Sequence, residues 1–328
     1  MTGPLIQFLV CAALIAVAGF VLSASADRLA AAYGWGRGWV GLALLASVTS
    51  LPELASGISA VAFVGAPNLA VGNALGACVV NLAFLVVVDA LQRGQPMYHA
   101  AAATHVLTAA FGVVLLGLAA LGLIAGDRVP VFMNLGMISP MLLGGYLLAL
   151  RSLQAHEREV EPPPPPDPDA RVQREWWRFG VAALVVLGAG SWLPQAADQL
   201  AQAAGLSRSF VGTVFMALAT TLPEMAVTLG ALRLGALDMA IGNLLGSNLF
   251  NVTILAVDDL FHPGGALLAV AAPVHAGTAV TAMTMSGLVL VGLVMRPRGR
   301  VLRVVSWVSV GLLAGWLVNA LLMALSGH

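Results

Sequence analysis

The chain has 328 residues, of which 59% are hydrophobic and only 9% charged, with fifteen basic and fifteen acidic side chains. That composition excludes an ordinary soluble domain and predicts an all-α polytopic membrane protein. Its two cysteines, Cys11 and Cys78, both fall inside apolar stretches, which argues against a disulfide framework or a zinc site.

Stretches of about 20 apolar residues, the length a bilayer-crossing helix needs, fall near 5–24, 38–62, 69–91, 99–123, 129–150, 178–198, 210–232, 237–257, 267–295 and 302–325. The first 26 residues end in SASA, as a cleavable leader can, but no basic residue precedes the apolar run. They are therefore read as the first of ten transmembrane helices. Tryptophans 35, 39, 176, 177, 192 and 307 lie near span ends, as an aromatic belt does. Between the fifth and sixth spans, residues 151–177 are polar and carry PPPPP at 162–166, a stiff, solvated linker. With alternating crossings, thirteen of the fifteen arginines fall on the linker side, so the positive-inside rule makes the linker cytoplasmic and both termini external.

Shifted by 171 residues, ADRLAAAYGWGRGWVG at 26–41 lies over ADQLAQAAGLSRSFVG at 197–212, and ASVTSLPELA at 46–55 over ALATTLPEMA at 217–226. After a one-residue adjustment GNALGACVVN at 72–81 lies over GNLLGSNLFN at 242–251. Residues 1–150 and 178–328 are thus expected to be two copies of one five-helix unit. Because five is odd, the second copy enters the membrane from the opposite side, giving inverted-topology repeats, a transporter architecture with its site near the midplane.

The paired stretches hold the chemistry. On a helix Thr49 and Ser50 share a face with Glu53, as Thr220 and Thr221 do with Glu224. Pro52 and Pro223 interrupt those helices and free the carbonyls of Val48 and Ala219. The facing helices carry the close-packing pairs Gly72/Gly76 and Gly242/Gly246. They also carry Asn73 and Asn81 in one half and Asn243, Ser247 and Asn251 in the other. Two carboxylates, hydroxyls, amides and freed carbonyls with almost no base nearby make a hard-oxygen cation site. A set mixing side-chain and backbone oxygens suits calcium better than magnesium, with sodium able to occupy the same oxygens in turn. The carboxylates are too costly at membrane depth to be idle. An intramembrane hydrolase does not fit, since Ser50 beside Glu53 lacks a histidine, and a passive channel has little use for inverted repeats.

At these residues the chain resembles the cation/calcium exchanger superfamily, sodium/calcium exchanger branch, whose repeats carry G-T-S-L-P-E and G-N-x-x-G-S-N. The resemblance implies exchange of cytoplasmic calcium for external sodium by alternating access in the cell's inner membrane. It implies no enzyme activity, no cofactor, no nucleic acid and no obligate protein partner; the partners are the two ions and membrane lipid. Carried over by position, Glu53 and Glu224 are the calcium carboxylates, with Thr49 and Thr220 adding oxygens. Ser50, Thr221, Ser247, Asn81, Asn251 and the carbonyls of Ala46 and Ala217 complete the sodium sites. Three positions depart from the pattern: Ala77 and Cys78 replace Ser and Asn in the first copy, and Thr221 replaces Ser in the second. The loss of a hydroxyl at Ala77 keeps a proton-coupled exchanger open as the rival reading. Asn81 and Asn251 are both amides, where potassium-dependent relatives carry an acid at the second, which argues against potassium co-transport.

Aspartates 89 and 259, at span ends, are expected to be solvated, and His105 and His275 to make interhelical hydrogen bonds.

Overall fold

The computed structural model describes residues 2–132, 135–160, 172–203, 220–301 and 303–326, and these are almost entirely helical. In lipid every backbone N–H and C=O must be bonded within the segment, and a helix does this along its whole length. Helix α1 is Thr2–Tyr33. The chain then climbs in one interrupted run: α2 Arg37–Val40, a wide π turn at Gly41–Leu45, α3 Ala46–Thr49, α4 Leu51–Ser59 and a second π turn at Ala60–Val64. Next come α5 Pro67–Leu91, α6 Met97–Ala100, α7 Thr104–Ala125, α8 Ile138–Val160 and α9 Val172–Ala203. The last group is α10 Leu222–Arg233, α11 Leu237–Phe261, α12 Leu267–Val270, α13 Val274–Met295 and α14 Trp307–Ser326.

Seven stretches among the described residues are long and apolar enough to cross a membrane. Helices α8 and α9 occupy the fifth and sixth expected spans, and α10 is the described part of the seventh, whose residues 210–219 lie outside the described set. Several expected boundaries move. The fifth span does not begin at 129, because Pro130 lies there and Val131–Phe132 pairs antiparallel with Leu135–Gly136; helix resumes only at Ile138. Hydropathy cannot tell an apolar strand pair from a helix, so the apolar stretch begins before the helix does. The ninth span divides at Pro273 into α12 and α13. The linker shortens, since α8 continues to Val160 and α9 begins at Val172; the run PPPPP lies outside the described residues.

Elements recur at fixed spacing. Helices α5 and α11 are each 25 residues long and begin 170 positions apart, and α7 and α13, each of 22 residues, do likewise. Before α5 and α11 stand Gly65 and Gly235, at φ +67° and +72°, left-handed turns that a side chain would strain.

Helix α11 is the buried axis, and the run 37–59 lies along it. A Cβ on Gly41 would sit 2.3 Å from the Met239 carbonyl, one on Gly242 2.5 Å from the Gly38 carbonyl, and one on Gly246 2.7 Å from the Leu42 Cα. Only glycine permits this backbone approach, the form that association takes between helices in a bilayer. Gly72 instead meets the His275 ring, at 3.1 Å. The long helices α1 and α9 pack on each other, and α1 is tied to α10 by Ser23 Oγ, which donates to the Val227 carbonyl at 2.8 Å.

The expectation that Asp89 and Asp259 are solvated is overturned: both are buried and fully hydrogen-bonded. Asp89, at the end of α5, accepts from the Met97 N–H at 3.1 Å, and from the Ser306 N–H at 2.6 Å and Ser309 Oγ at 2.7 Å at the start of α14. Asp259 accepts from the Leu267 N–H at 2.6 Å, the Gly136 N–H at 3.0 Å and the Ser139 hydroxyl at the start of α8. Each aspartate thus fastens its own helix to the last helix of the other half, neutralising backbone donors that have no other partner at these chain turns. His105 makes the expected interhelical bond, its Nε2 3.1 Å from Asp238 Oδ1, but His275 does not, and its Nδ1 has no partner. The residue equivalent to Asp238 is Asn68: each accepts a backbone N–H, Asn68 from Ala272 at 2.6 Å and Asp238 from Ala102 at 2.8 Å, but Asn68 is a neutral amide and offers the ring no carboxylate.

Candidate functional site

The site is built where two interrupted helices meet two intact ones. Helix α3 ends at Thr49, Ser50 leaves helical geometry at φ −89°, ψ 4°, and α4 restarts at Leu51 with Pro52 in its first turn. The second half repeats the break: Thr221 sits at φ −84°, ψ 0°, followed by α10 with Pro223 in its first turn. Proline tolerates a helix start because the donor it lacks is unbonded there anyway. The break also aims the first turn, with its unpaired N–H groups, at the middle of the protein. Glu53 and Glu224 both lie in such first turns, where the helix dipole favours a carboxylate.

Both glutamates are fully buried. Glu224 Oε1 accepts from Ser50 Oγ of the opposite half at 3.0 Å, and its Oε2 has no partner. Glu53 faces Thr220 of the opposite half, but neither of its oxygens has a protein hydrogen-bond partner of ordinary geometry. Around them, Thr49 Oγ1 lies 3.4 Å from Ser247 Oγ and 3.3 Å from the Ala46 carbonyl. Thr220 Oγ1 donates to Asn73 Oδ1 at 3.4 Å, and Asn73 Nδ2 to Ser56 Oγ at 2.9 Å. Asn243 Nδ2 donates to the Glu224 carbonyl at 3.2 Å and to Thr228 Oγ1 at 3.0 Å, leaving its Oδ1 without a partner. Asn81 and Asn251 are buried with neither amide atom bonded. Thr221 is buried at the break, and Ala217 lies outside the described residues.

The structure therefore brings Thr49, Ser50, Glu53, Asn73, Thr220, Glu224, Asn243 and Ser247 into one connected cluster. Asn81 and Asn251 stand on the α5 and α11 walls, Asn251 one turn beyond Ser247. Buried acceptors without donors are costly when nothing positive joins them, and this set is oxygen-rich with only two carboxylates, so it suits a hard cation as substrate. Sequence reasoning missed Ser56 and Thr228, which hold Asn73 and Asn243. Their helical spacing from Glu53 and Glu224, three and four residues on, was the available signal.

The departure at Cys78 falls on a helix crossing. Cys78 Sγ lies 3.7 Å from the Asn248 carbonyl, and Asn248 Nδ2 donates to the Cys78 carbonyl at 3.3 Å. These equivalent positions of α5 and α11 thus hold each other, so Cys78 belongs to the joint between the halves.

A profile of the sodium/calcium exchanger protein family matches residues 3–150 and 174–322, nearly the whole chain in two blocks. The chain belongs to the sodium/calcium exchanger protein family. Membership makes it a multi-pass membrane transporter of the cation/calcium antiporter kind. Among relatives, the inner membrane protein YrbG of Escherichia coli K12 is 28% identical over 273 residues, covering 78% of this chain and 81% of that protein. The sodium/calcium exchanger MaX1 of Methanosarcina acetivorans is 37% identical, over 82 residues that cover 25% of this chain and 23% of that protein. Among solved structures, the sodium-calcium exchanger NCX_Mj superposes with a TM-score of 0.75 at 21% identity, covering 97% of both chains. That likeness establishes an exchanger fold.

Proposed function

We propose that the chain is a secondary antiporter that exchanges calcium for sodium by alternating access, with Glu53 and Glu224 as the calcium carboxylates. The observation that carries this reading is the reciprocal placement of the two buried glutamates, each facing the hydroxyls of the opposite half. Two carboxylates balance one divalent ion, and the unpartnered amide and carboxylate oxygens around them supply the further ligands calcium takes. The same oxygens, occupied in turn by sodium, couple the two fluxes by competition. Thr49, Thr220, Ser50, Thr221, Ser247, Asn81, Asn251 and the Ala46 and Ala217 carbonyls are the further proposed ligands, with Asn243 holding the Glu224 backbone directly and Asn73 reaching that of Glu53 through Ser56. Thr221 keeps the hydroxyl oxygen at its position.

The reading includes ten spanning helices in two inverted repeats. Contacts run in register from Gly41 with Met239, through Thr49 with Ser247, to Gly57 with Asp258, so α11 is parallel to the run 37–59. Helix α5 turns back on that run at Gly65, and so points opposite to its equivalent α11. Inversion of this kind lets one set of contacts, exchanged between the halves, open the site to either side. The arginine distribution puts the linker in the cytoplasm and the termini outside.

The test is calcium-45 uptake into proteoliposomes under imposed sodium, proton and potassium gradients. Uptake driven by a sodium gradient is expected. Uptake indifferent to sodium that follows a pH gradient would replace this reading with proton coupling, the reading that the missing hydroxyl at the buried Ala77 favours.

A further inference from the structure

One buried acid takes no part in the cluster above. Asp258 is fully buried in α11, and neither of its carboxylate oxygens has a hydrogen-bond partner. Its neighbour Asp259 points about 100° away around the helix and is bonded at both oxygens. Asp258 is aimed at Gly57 of α4: a Cβ built there would lie 2.4 Å from Oδ2 and 2.7 Å from Oδ1, and the three nearest atoms all belong to the Asp258 carboxyl group. Gly57 is one helical turn, about 6 Å, beyond Glu53 on the same face of α4. On α11, Ser247, Asn251 and Asp258 follow one another at four and seven residues, which keeps all three within a narrow arc of the helix. The oxygens of the central cluster are thus continued toward the ends of α4 and α11 by a carboxylate that the glycine makes room for.

The continuation is one-sided. The positions equivalent to Gly57 and Asp258 in the other half are Thr228 and Val88. Where the first half has a glycine its facing helix has an acid, and where the second half has a threonine the facing helix has a valine. Thr228 spends its hydroxyl on Asn243, within the central cluster. A carboxylate kept at membrane depth without a partner is costly, and it persists where a cation or proton joins it.

We propose that Asp258 is a separate station for a single sodium ion on the route between Glu53 and the membrane face away from the linker. This rests on the proposed sodium/calcium exchange and adds to it a step that the opposite route lacks. One carboxylate balances one monovalent charge. A divalent ion is disfavoured by charge, since one carboxylate would leave half of its charge uncompensated at a buried position. The glycine leaves room for the carboxyl group itself to reach α4 beside Glu53, and the ion joins the two free oxygens there. It enters the central cluster when the site opens to that side. On the proposed orientation this face is external, so the station raises the local concentration of the incoming counter-ion, as a charged cleft does.

The experiment compares wild type with Asp258→Asn, Gly57→Ala and the double variant. Sodium-22 and calcium-45 binding to purified protein are measured, as is sodium-driven calcium flux with sodium applied to either face of oriented proteoliposomes. In Asp258→Asn one sodium equivalent is lost at saturation, and the sodium concentration for half-maximal flux rises at least about fivefold from the external face only, a change of about one decade or less in affinity. Calcium binding and the dependence on cytoplasmic sodium stay within about twofold of wild type, because the calcium ligands are elsewhere. Gly57→Ala keeps the carboxylate and pushes only a side-chain end, so it reports the station even where Asp258→Asn fails to fold. Its effect is the same, and it adds nothing to Asp258→Asn in the double variant. An unchanged sodium count and half-maximal concentration in a folded variant, or an equal change from both faces, overturns the station while leaving sodium/calcium exchange standing. Loss of sodium coupling in the wild type itself overturns both.

Discussion

In the first half of the site Asn73 donates to the Ser56 hydroxyl, whereas in the second Asn243 donates to the Thr228 hydroxyl and also to the carbonyl of Glu224 itself. Helix α11 also sends Ser247 to within 3.4 Å of Thr49, while the matching residue of α5 is Ala77, which has no hydroxyl to send toward Thr220. The two halves thus share a plan of broken helix, first-turn glutamate and amide wall, and differ in how many polar groups complete it. A protein that alternates access needs the halves equivalent in shape so that their contacts can be exchanged. It has no need for them to be equivalent in chemistry, because the ions arrive from different solutions.

The equivalence is tested hardest at the glutamates. Glu53→Gln and Glu224→Gln are each expected to lower calcium-45 uptake by at least about 100-fold, since losing one charged ligand is worth about 3 kcal/mol. The protein stays folded, because glutamine keeps the shape and, at 224, an acceptor for Ser50. A folded variant with uptake close to wild type at either position would mean that one half alone carries the ion.

Next in size are the two anchors. Asp89→Ala and Asp259→Ala each strand three donors, two of them backbone N–H groups. Each should cost about 3 kcal/mol or more, read as a fall in the melting temperature of detergent-solubilised protein. The bonds are the same in kind, so similar falls are expected. A large fall in one and none in the other would show that the halves do not fasten each other reciprocally.

A smaller contrast lies in the glycines. Gly41→Ala drives a methyl into the backbone of α11, which cannot retreat, and should cost about 1–3 kcal/mol. Gly72→Ala meets only the ring of His275, which can turn, and should cost under about 1 kcal/mol. Equal melting shifts would mean that α11 is less tightly seated on the run 37–59 than its backbone distances imply.

The duplication, the broken helices and most of the candidate ligands are legible in the sequence, because each rests on a local rule: a repeat, a proline four residues after a carbonyl, or hydroxyls one turn from an acid. Asp258 and Asp259 show where legibility stops. They are adjacent acids at the end of one apolar run, yet one is bonded to the start of α8 and the other faces a glycine of α4. Neighbours on a helix point about 100° apart, and nothing local says what lies in either direction. Asp89 and Asp259 were legible as repeat partners but not as buried, since an acid at a span end reads the same whether it meets water or folded-back backbone. The pairing of Val131–Phe132 with Leu135–Gly136 was hidden for a related reason, these residues being as apolar as the helix that follows.

The smallest expected effect bears most directly on why the halves differ. Ala77→Ser adds to α5 the hydroxyl that α11 already has at Ser247, at a buried position beside the second broken helix. If the missing oxygen limits how many sodium ions the first half binds, the variant should steepen the dependence of calcium uptake on sodium. The half-maximal sodium concentration should fall about two- to fivefold, the worth of one neutral ligand-grade contact of about 0.5–1 kcal/mol. Calcium affinity should stay where it is, since the two carboxylates are untouched. A serine that leaves the sodium dependence unchanged would show that the first half completes its sodium shell through other groups. The unequal chemistry at 77 and 247 would then reflect helix packing, as it does one residue further on, where Cys78 and Asn248 hold each other across the joint.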